Sequence, residues 1–274
     1  MSEREQYPAG VPCWVEVLVP EPRKALEFYG SLFDWTFDGA GPMPDDPAAE
    51  YFVASVRGRE VAGVGSLPTR DDPVPPAWTT YVRVASADEA ARSVVPAGGV
   101  VIADAFDVPP VGRMAVVADP GGAVFCLWEA GSREGAQIVN EPRAWAMSAL
   151  QCAGSERDVF IDFYREMFGW EPEPFGPATL YRLPGYVGGE VRQPVPRDVV
   201  AVMTPSAGDG NGPSAPAYWG VDFWVDDADA VAENATSMGG EVLVAPMDTP
   251  GFRNAVLTDP QGASFSVSQL LGPH

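Results

Sequence analysis

Two acidic residues, Glu16 and Asp222, stand inside stretches that otherwise alternate like buried β-strands. Side chains alternate across a strand with a period of two, so each stretch divides into two faces. In Trp14–Val19 the residues Val15, Val17 and Val19 oppose Trp14, Glu16 and Leu18. Around Asp222, the residues Val221, Phe223 and Val225 oppose Asp222 and Trp224. A carboxylate on a buried face needs a partner, because an unpaired charge out of water is costly. Three kinds of chemistry meet that need. The carboxylate can pair with a cationic amine of a ligand. It can act as a general acid or base if burial raises its pKa. It can also form a structural salt bridge, with Arg83 as the candidate partner of Glu16. Other segments carry the same mixture of aromatic and small polar groups: Tyr81 with Thr79 and Arg83, Trp128 with Val124 and Cys126, Gln151 with Ala149 and Ala153, and Ser266 with Ser264 and Ser268. Broad aromatic surfaces with a few placed polar groups suit a small-molecule pocket, and tryptophans offer flat faces for a planar ligand. Trp78, Trp145 and Trp219 precede strands and suit either a pocket rim or packing. Trp35 and Trp170 lie beside helices and read as core anchors.

Other chemistries are excluded. The chain has one histidine, its last residue His274, so no Ser-His-Asp triad, Cys-His pair or His-rich metal site can form inside the fold. Cys13, Cys126 and Cys152 are odd in number and sit in apolar contexts, which reads as free thiols in a reducing cytoplasm. The net charge of −21 argues against nucleic acid and anionic membrane surfaces, and favours neutral or cationic ligands. No Gly-rich phosphate loop for flavin or nicotinamide is visible, so no cofactor is expected. No apolar run approaches the ~20 residues of a membrane helix. MSEREQYPAG lacks the basic and apolar regions of a signal peptide, so a cytoplasmic location is expected.

The elements that hold these residues repeat. FYGSLFDW at 28–35 returns as FYREMFGW at 163–170, and DPGGAVF at 119–125 returns as DPQGASF at 259–265. Paired glycines recur at Gly98-Gly99 and Gly239-Gly240, and Arg113 and Arg253 each precede a strand and a turn. Matching motifs in one order mark a duplication. Each copy predicts an α+β domain made of two βαβββ units. The expected bounds are 10–131 and 145–272, with a linker at 132–144. Helices are expected near 22–33, 86–97, 157–168 and 227–238. Gly39–Ala49 and Thr204–Ala217 read as loops, either solvated connections or covers for a pocket. Arg113 and Arg253 read as turn-stabilising.

FYGSLFDW after a first strand and DP-x-G before a last strand resemble the vicinal oxygen chelate (glyoxalase/bleomycin-resistance) superfamily, from about Pro12 to Leu271. The opening VPCWVEVLVPEPRKALEFYG is similar to tandem-domain members of actinobacteria. The resemblance implies paired βαβββ units whose sheets curve around a cavity, and many relatives hold a divalent metal there. Carried onto this chain, the metal positions fall on Trp14, Thr79 and Cys126 in one copy and on Ala149, Gly220 and Ser266 in the other. No histidine or carboxylate stands at any of them, so no metal is expected, and neither glyoxalase nor extradiol dioxygenase activity.

Two functions remain open. One is a metal-free binding protein, with Trp14, Glu16, Trp78, Tyr81, Trp128, Gln151, Trp219, Asp222, Trp224 and Ser266 as ligand contacts. The chain is similar to accessory proteins encoded with anthracycline biosynthesis in Streptomyces. That resemblance implies a flat tetracyclic ligand such as daunorubicin or doxorubicin, a cytochrome P450 partner for a late oxidation, and a contribution to self-resistance. The other is a metal-independent isomerase, cyclase or hydroxylase-like enzyme using Glu16, Asp222 or Tyr81. Because two fused domains can mimic a dimer of smaller relatives, either a monomer or a homodimer is expected.

Overall fold

The structure is a computed structural model and describes residues 3–43, 46–68, 74–188, 193, 195–205 and 216–272. The first copy runs β1 (Pro12–Val19), α1 (Pro22–Phe33), β2 (Thr36–Met43), β3 (Asp46–Val56), β4 (Arg59–Ser66), β5 (Ala77–Arg83), α2 (Ala87–Val94), β6 (Val100–Val108), β7 (Gly112–Ala118) and β8 (Val124–Ala130). The second runs β9 (Trp145–Cys152), α3 (Arg157–Phe168), β10 (Glu171–Phe175), β11 (Ala178–Arg182), β12 (Val199–Pro205), β13 (Tyr218–Val225), α4 (Ala228–Ser237), β14 (Glu241–Thr249), β15 (Phe252–Thr258) and β16 (Ser264–Leu270). Each copy forms one eight-stranded mixed sheet, in the order β2-β3-β4-β1-β5-β8-β7-β6 and its counterpart β10-β11-β12-β9-β13-β16-β15-β14. The antiparallel pairs β1–β5 and β9–β13 join the two units of each sheet at its centre.

The FYGSLFDW motif explains one turn of this design. Ala25, Phe28, Tyr29, Leu32 and Phe33 make the buried stripe of α1, and Pro22 fits its first turn. The helix ends at Asp34 in the left-handed region, as α3 ends at Gly169 (φ 70°). Trp35 and Trp170 follow directly and are buried.

The sheets lie back to back. The buried hydroxyls of Thr80 on β5 and Ser148 on β9 meet at 2.7 Å between them. The repeated motifs of one copy bind those of the other. Asp119 Oδ1 accepts the backbone N–H groups of Gly121 and Ala123 at 3.0 and 2.9 Å, closing its Asp-Pro turn. Its Oδ2 accepts the Tyr164 hydroxyl of the second copy at 2.7 Å, and that hydroxyl in turn accepts the Trp219 indole N–H at 2.9 Å. Asp259, Tyr29 and Trp78 repeat the arrangement in reverse, at 3.1 and 3.0 Å. Phe28 and Phe33 of α1 meet Phe265 and Phe223, and Phe163 and Phe168 of α3 meet Phe125. Buried polar groups are thereby satisfied in an apolar interior, where leaving them unpaired is costly.

Trp78 and Trp219 therefore belong to the interior between the sheets, not to a ligand surface. Their strands put them on the face of Thr80 and Val221, opposite Tyr81 and Asp222. The expected loop 39–49 is also corrected. Its described residues extend the β2–β3 hairpin, with residues 44 and 45 outside the described set. Of the expected loop 204–217, Thr204 and Pro205 end β12 and residues 206–215 lie outside the described residues. His274 lies outside them as well. Arg113 clamps Asp88 of α2 and Asp107 of β6, and Arg253 clamps Asp229 of α4 and Asp248 of β14, so each ties a helix to a hairpin.

Candidate functional site

The two outer faces differ. On the first sheet, Glu16 is buried and accepts the hydroxyls of Tyr81 at 2.6 Å and Tyr51 at 2.9 Å. Burial pushes its carboxyl above the usual range, opposed by the Tyr81 and Tyr51 hydroxyls and by Arg133. Arg83 is not its partner and pairs with Glu134 at 3.6 Å. Tyr51 also accepts the Trp14 indole N–H at 3.2 Å, and its ring lies on two bare glycines. A Cβ at Gly63 would fall 2.0 Å from the Tyr51 hydroxyl, and one at Gly65 would fall 2.8 Å from its ring. From the linker, Arg133 lies 5.2 Å over Trp14, accepts the Trp128 indole N–H at 3.0 Å through its carbonyl, and pairs with Glu60. Trp128 packs edge-on to Tyr81. The structure thus brings Trp14, Glu16, Tyr81 and Trp128 together, but as a set that satisfies itself. Every side-chain polar atom of these four already has a partner.

The second outer face is built from smaller groups. Asp222 takes the place of Tyr81: one pairs with Ser266 and Met147, the other with Cys126 and Trp14. By the same register Ala149 matches Glu16, and Met147, not Ala149, matches Trp14. Counting back from the Phe-Tyr pair misplaces this strand by two residues. A 3-10 turn at Gly154–Glu156 lengthens the link from β9 to α3. A two-residue slip preserves the face, so Ala149 and Gln151 still fall on the side of Asp222.

Among the described residues, three buried polar atoms on the strands of this sheet lack a partner, spread along its length: Asp222 Oδ1, Thr204 Oγ1 and Trp145 Nε1. Asp222 Oδ2 accepts the Ser268 hydroxyl. Thr204 is registered against Gln151 on the neighbouring strand. Trp145 and Met147 line a cavity of about 40 Å³ at the linker end of the sheet, with Tyr7, Val139, Gln193 and Val200. Burial without a countercharge pushes the Asp222 carboxyl up to about 7. Between these groups the surface is low. A Cβ at Gly220 would find its nearest neighbour, the Ala149 carbonyl oxygen, 3.7 Å away. Trp224 shares the Asp222 face by alternation, is buried, and is registered against Ser268. Tyr51, Arg133, Met147 and Thr204 complete the two faces beyond the residues singled out from sequence.

A carboxyl whose pKa is raised on folding weakens the fold once ionised. Its stabilising effect is complete below about pH 4, the unfolded value, and is lost as pH rises through 7. Asp222→Asn is therefore expected to stabilise the protein by about 2 kcal/mol at pH 8, discounted for the residue's partial exposure, with the gain vanishing near pH 4. Thermal melts of both proteins from pH 4 to 8 check the slope.

The residues at the relatives' metal positions do not fit a divalent ion. Among the described residues, no three His, Cys, Asp or Glu side chains converge. The Cys126 thiol is pushed well up by burial, first of all, and by Glu16.

Residues 13–127 match the Glyoxalase/Bleomycin resistance protein/Dioxygenase superfamily, and residues 149–268 match a glyoxalase-like domain. The chain belongs to this superfamily. It is a tandem member, with both copies in one polypeptide. It is 33% identical to the anthracycline biosynthesis protein DnrV of Streptomyces peucetius and 34% to DauV of Streptomyces sp. strain C5, across 97% of this chain and 95% of each relative. It is 35% identical to CFP32 of Mycobacterium tuberculosis, across 97% of both chains. Among solved structures, it shares the fold of the 2,3-dioxygenase LapB from Pseudomonas sp. KL28 (TM-score 0.61, 11% identity, 97% and 95% coverage). It also shares that of a Mn(II)-bound glyoxalase from Novosphingobium aromaticivorans (TM-score 0.59, 13% identity, 96% and 83% coverage). No described helix is long and apolar enough to cross a membrane.

Proposed function

We propose that this superfamily member is a binding protein for a planar aromatic natural product of the anthracycline class, held on the outer face of its second sheet. The observation that carries this reading is the contrast between the faces. The first is closed by its own side chains, whereas among the described residues the second leaves Asp222 Oδ1 and Thr204 Oγ1 unpartnered on the face that also carries Gly220, Ala149 and Ser266. Unpaired buried polar groups beside small residues are what a ligand with a flat body and few polar groups would complete. Similarity to DnrV and DauV supports the ligand class. In this reading the protein sequesters a product, relieving inhibition of a late cytochrome P450 oxidation and contributing to self-resistance. The contacts narrow to Gln151, Asp222, Trp224 and Ser266, with Trp14, Glu16, Tyr81 and Trp128 as a self-packed scaffold.

Asp222 favours one second reading, a metal-independent isomerase or cyclase, because a carboxyl poised near neutrality can move a proton. Calorimetric titration with doxorubicin, followed by recovery and mass measurement of the ligand, separates the two. Saturable binding with unchanged mass supports the carrier, a changed mass supports the enzyme, and no heat at tens of micromolar removes the anthracycline assignment. Glu16→Gln is expected to leave doxorubicin affinity within about twofold and to lower stability by about 1–2 kcal/mol, since an amide cannot accept both tyrosine hydroxyls as strongly. A large loss of affinity in a folded Glu16→Gln protein would return the ligand to the first sheet.

A further inference from the structure

We propose that the Asp222 carboxylate receives an ammonium group of the ligand and gives up its own proton as that group arrives. This rests on placing the ligand at the second sheet and names the chemistry of one end of it. One oxygen of Asp222 is engaged by Ser268, and the other, shielded from solvent, has no partner among the described residues. Among the described residues, no cation supplies one. Across the strands Asp222 faces Met147 of β9 and Ser266 of β16, and Ser268 beside it is registered against Asn254 of β15. On its own strand Gly220, Trp224 and the half-exposed Tyr218 share its face. Tyr218 is the one titratable group among these, and burial pushes its hydroxyl up, so it stays neutral. The basic residue nearest along β15, Arg253, falls on the opposite face and is held by Asp229 and Asp248. On β11, Arg182 is held by Glu173 and Asp198.

Such an oxygen is suited to a partner supplied by a ligand. An ammonium donor makes a charge-assisted bond to a carboxylate, stronger than a neutral one. The excess of 38 acidic over 17 basic residues draws cations toward the protein at long range. At Gly220, on the same face, an added Cβ would meet the Ala149 carbonyl and the Tyr218 ring at ordinary contact distance.

The proton follows from linkage. With the free carboxyl titrating at about 7, the ionised, amine-binding form rises from about one tenth of molecules at pH 6 to about nine tenths at pH 8. Affinity for the amine rises about tenfold over that interval, and binding at pH 6 releases close to one proton, falling to near none at pH 8.

The test titrates wild type and Asp222→Asn with two probes, doxorubicin and its uncharged N-acetyl derivative, at pH 6 and pH 8. Running each in two buffers of different ionisation enthalpy counts protons. The expected result is a preference of at least about tenfold for the free amine at pH 8 in wild type. That preference and its pH dependence disappear in Asp222→Asn, whose affinities for the two probes become equal. Equal wild-type affinities for the two probes, with no proton release, would overturn the ammonium assignment and leave the pocket in place. Binding of neither probe would overturn both.

Discussion

Gly220→Trp is expected to lower doxorubicin affinity by at least about 100-fold, or ~2.7 kcal/mol, in a protein that remains folded. The backbone at Gly220 is not in the left-handed region, and the first Cβ neighbours lie at 3.7 and 3.9 Å. The substitution therefore meets no clash at its root, and tryptophan is at home in a strand. Its indole would cover the surface around Ala149 and Ser266 that the ligand needs, much as large side chains already cover the first sheet. A matched control comes from Gly63, where any Cβ collides with the Tyr51 hydroxyl at 2.0 Å. Gly63→Ala should cost stability and spare affinity. Unchanged affinity in a folded Gly220→Trp protein would remove the second outer face from consideration.

The second large effect concerns stability. Asp119→Ala is expected to destabilise the protein by about 3–4 kcal/mol, a fall in Tm of roughly 10 °C. It strips acceptors from the N–H groups of Gly121 and Ala123 and from the buried Tyr164 hydroxyl. Asp119→Asn keeps an oxygen for the turn and should lose less than half as much. Burial raises the Asp119 carboxyl to about 6. Its ionisation therefore weakens the fold: stability is greatest below about pH 4 and declines as pH rises through 6. A melt of Asp119→Ala indistinguishable from wild type would show that the turn does not tie the two copies together.

Much of this architecture was legible because the same residues that mark the repeat also build the interior. Phe-Tyr and Asp-Pro-x-Gly recur because each Tyr hydroxyl needs the other copy's Asp. The edge of each sheet was harder to read. TFDGAGPM and EPEPF are rich in Gly and Pro, and only an edge position, where one side of the strand is unpaired, lets them pair at all. The face of Trp78 and Trp219 was available in the sequence: each alternates with Val or Thr inward residues, opposite Tyr81 and Asp222. Closure of the first outer face was not, because Tyr51 and Arg133 arrive from a distant strand and from the linker. Local alternation says which way a side chain points, not what has come to meet it.

The strand that holds Asp222 outward holds Trp219 inward, where its indole ends on Tyr164 and, through it, on Asp119 of the other copy. The half that carries Asp222 is thus buttressed from behind by a half whose own outer face is filled by its side chains. On the proposed placement of the ligand, duplication divides the labour, with the first copy serving as the other's back wall, and changes deep in the filled copy should be felt as altered binding on the far side of the molecule.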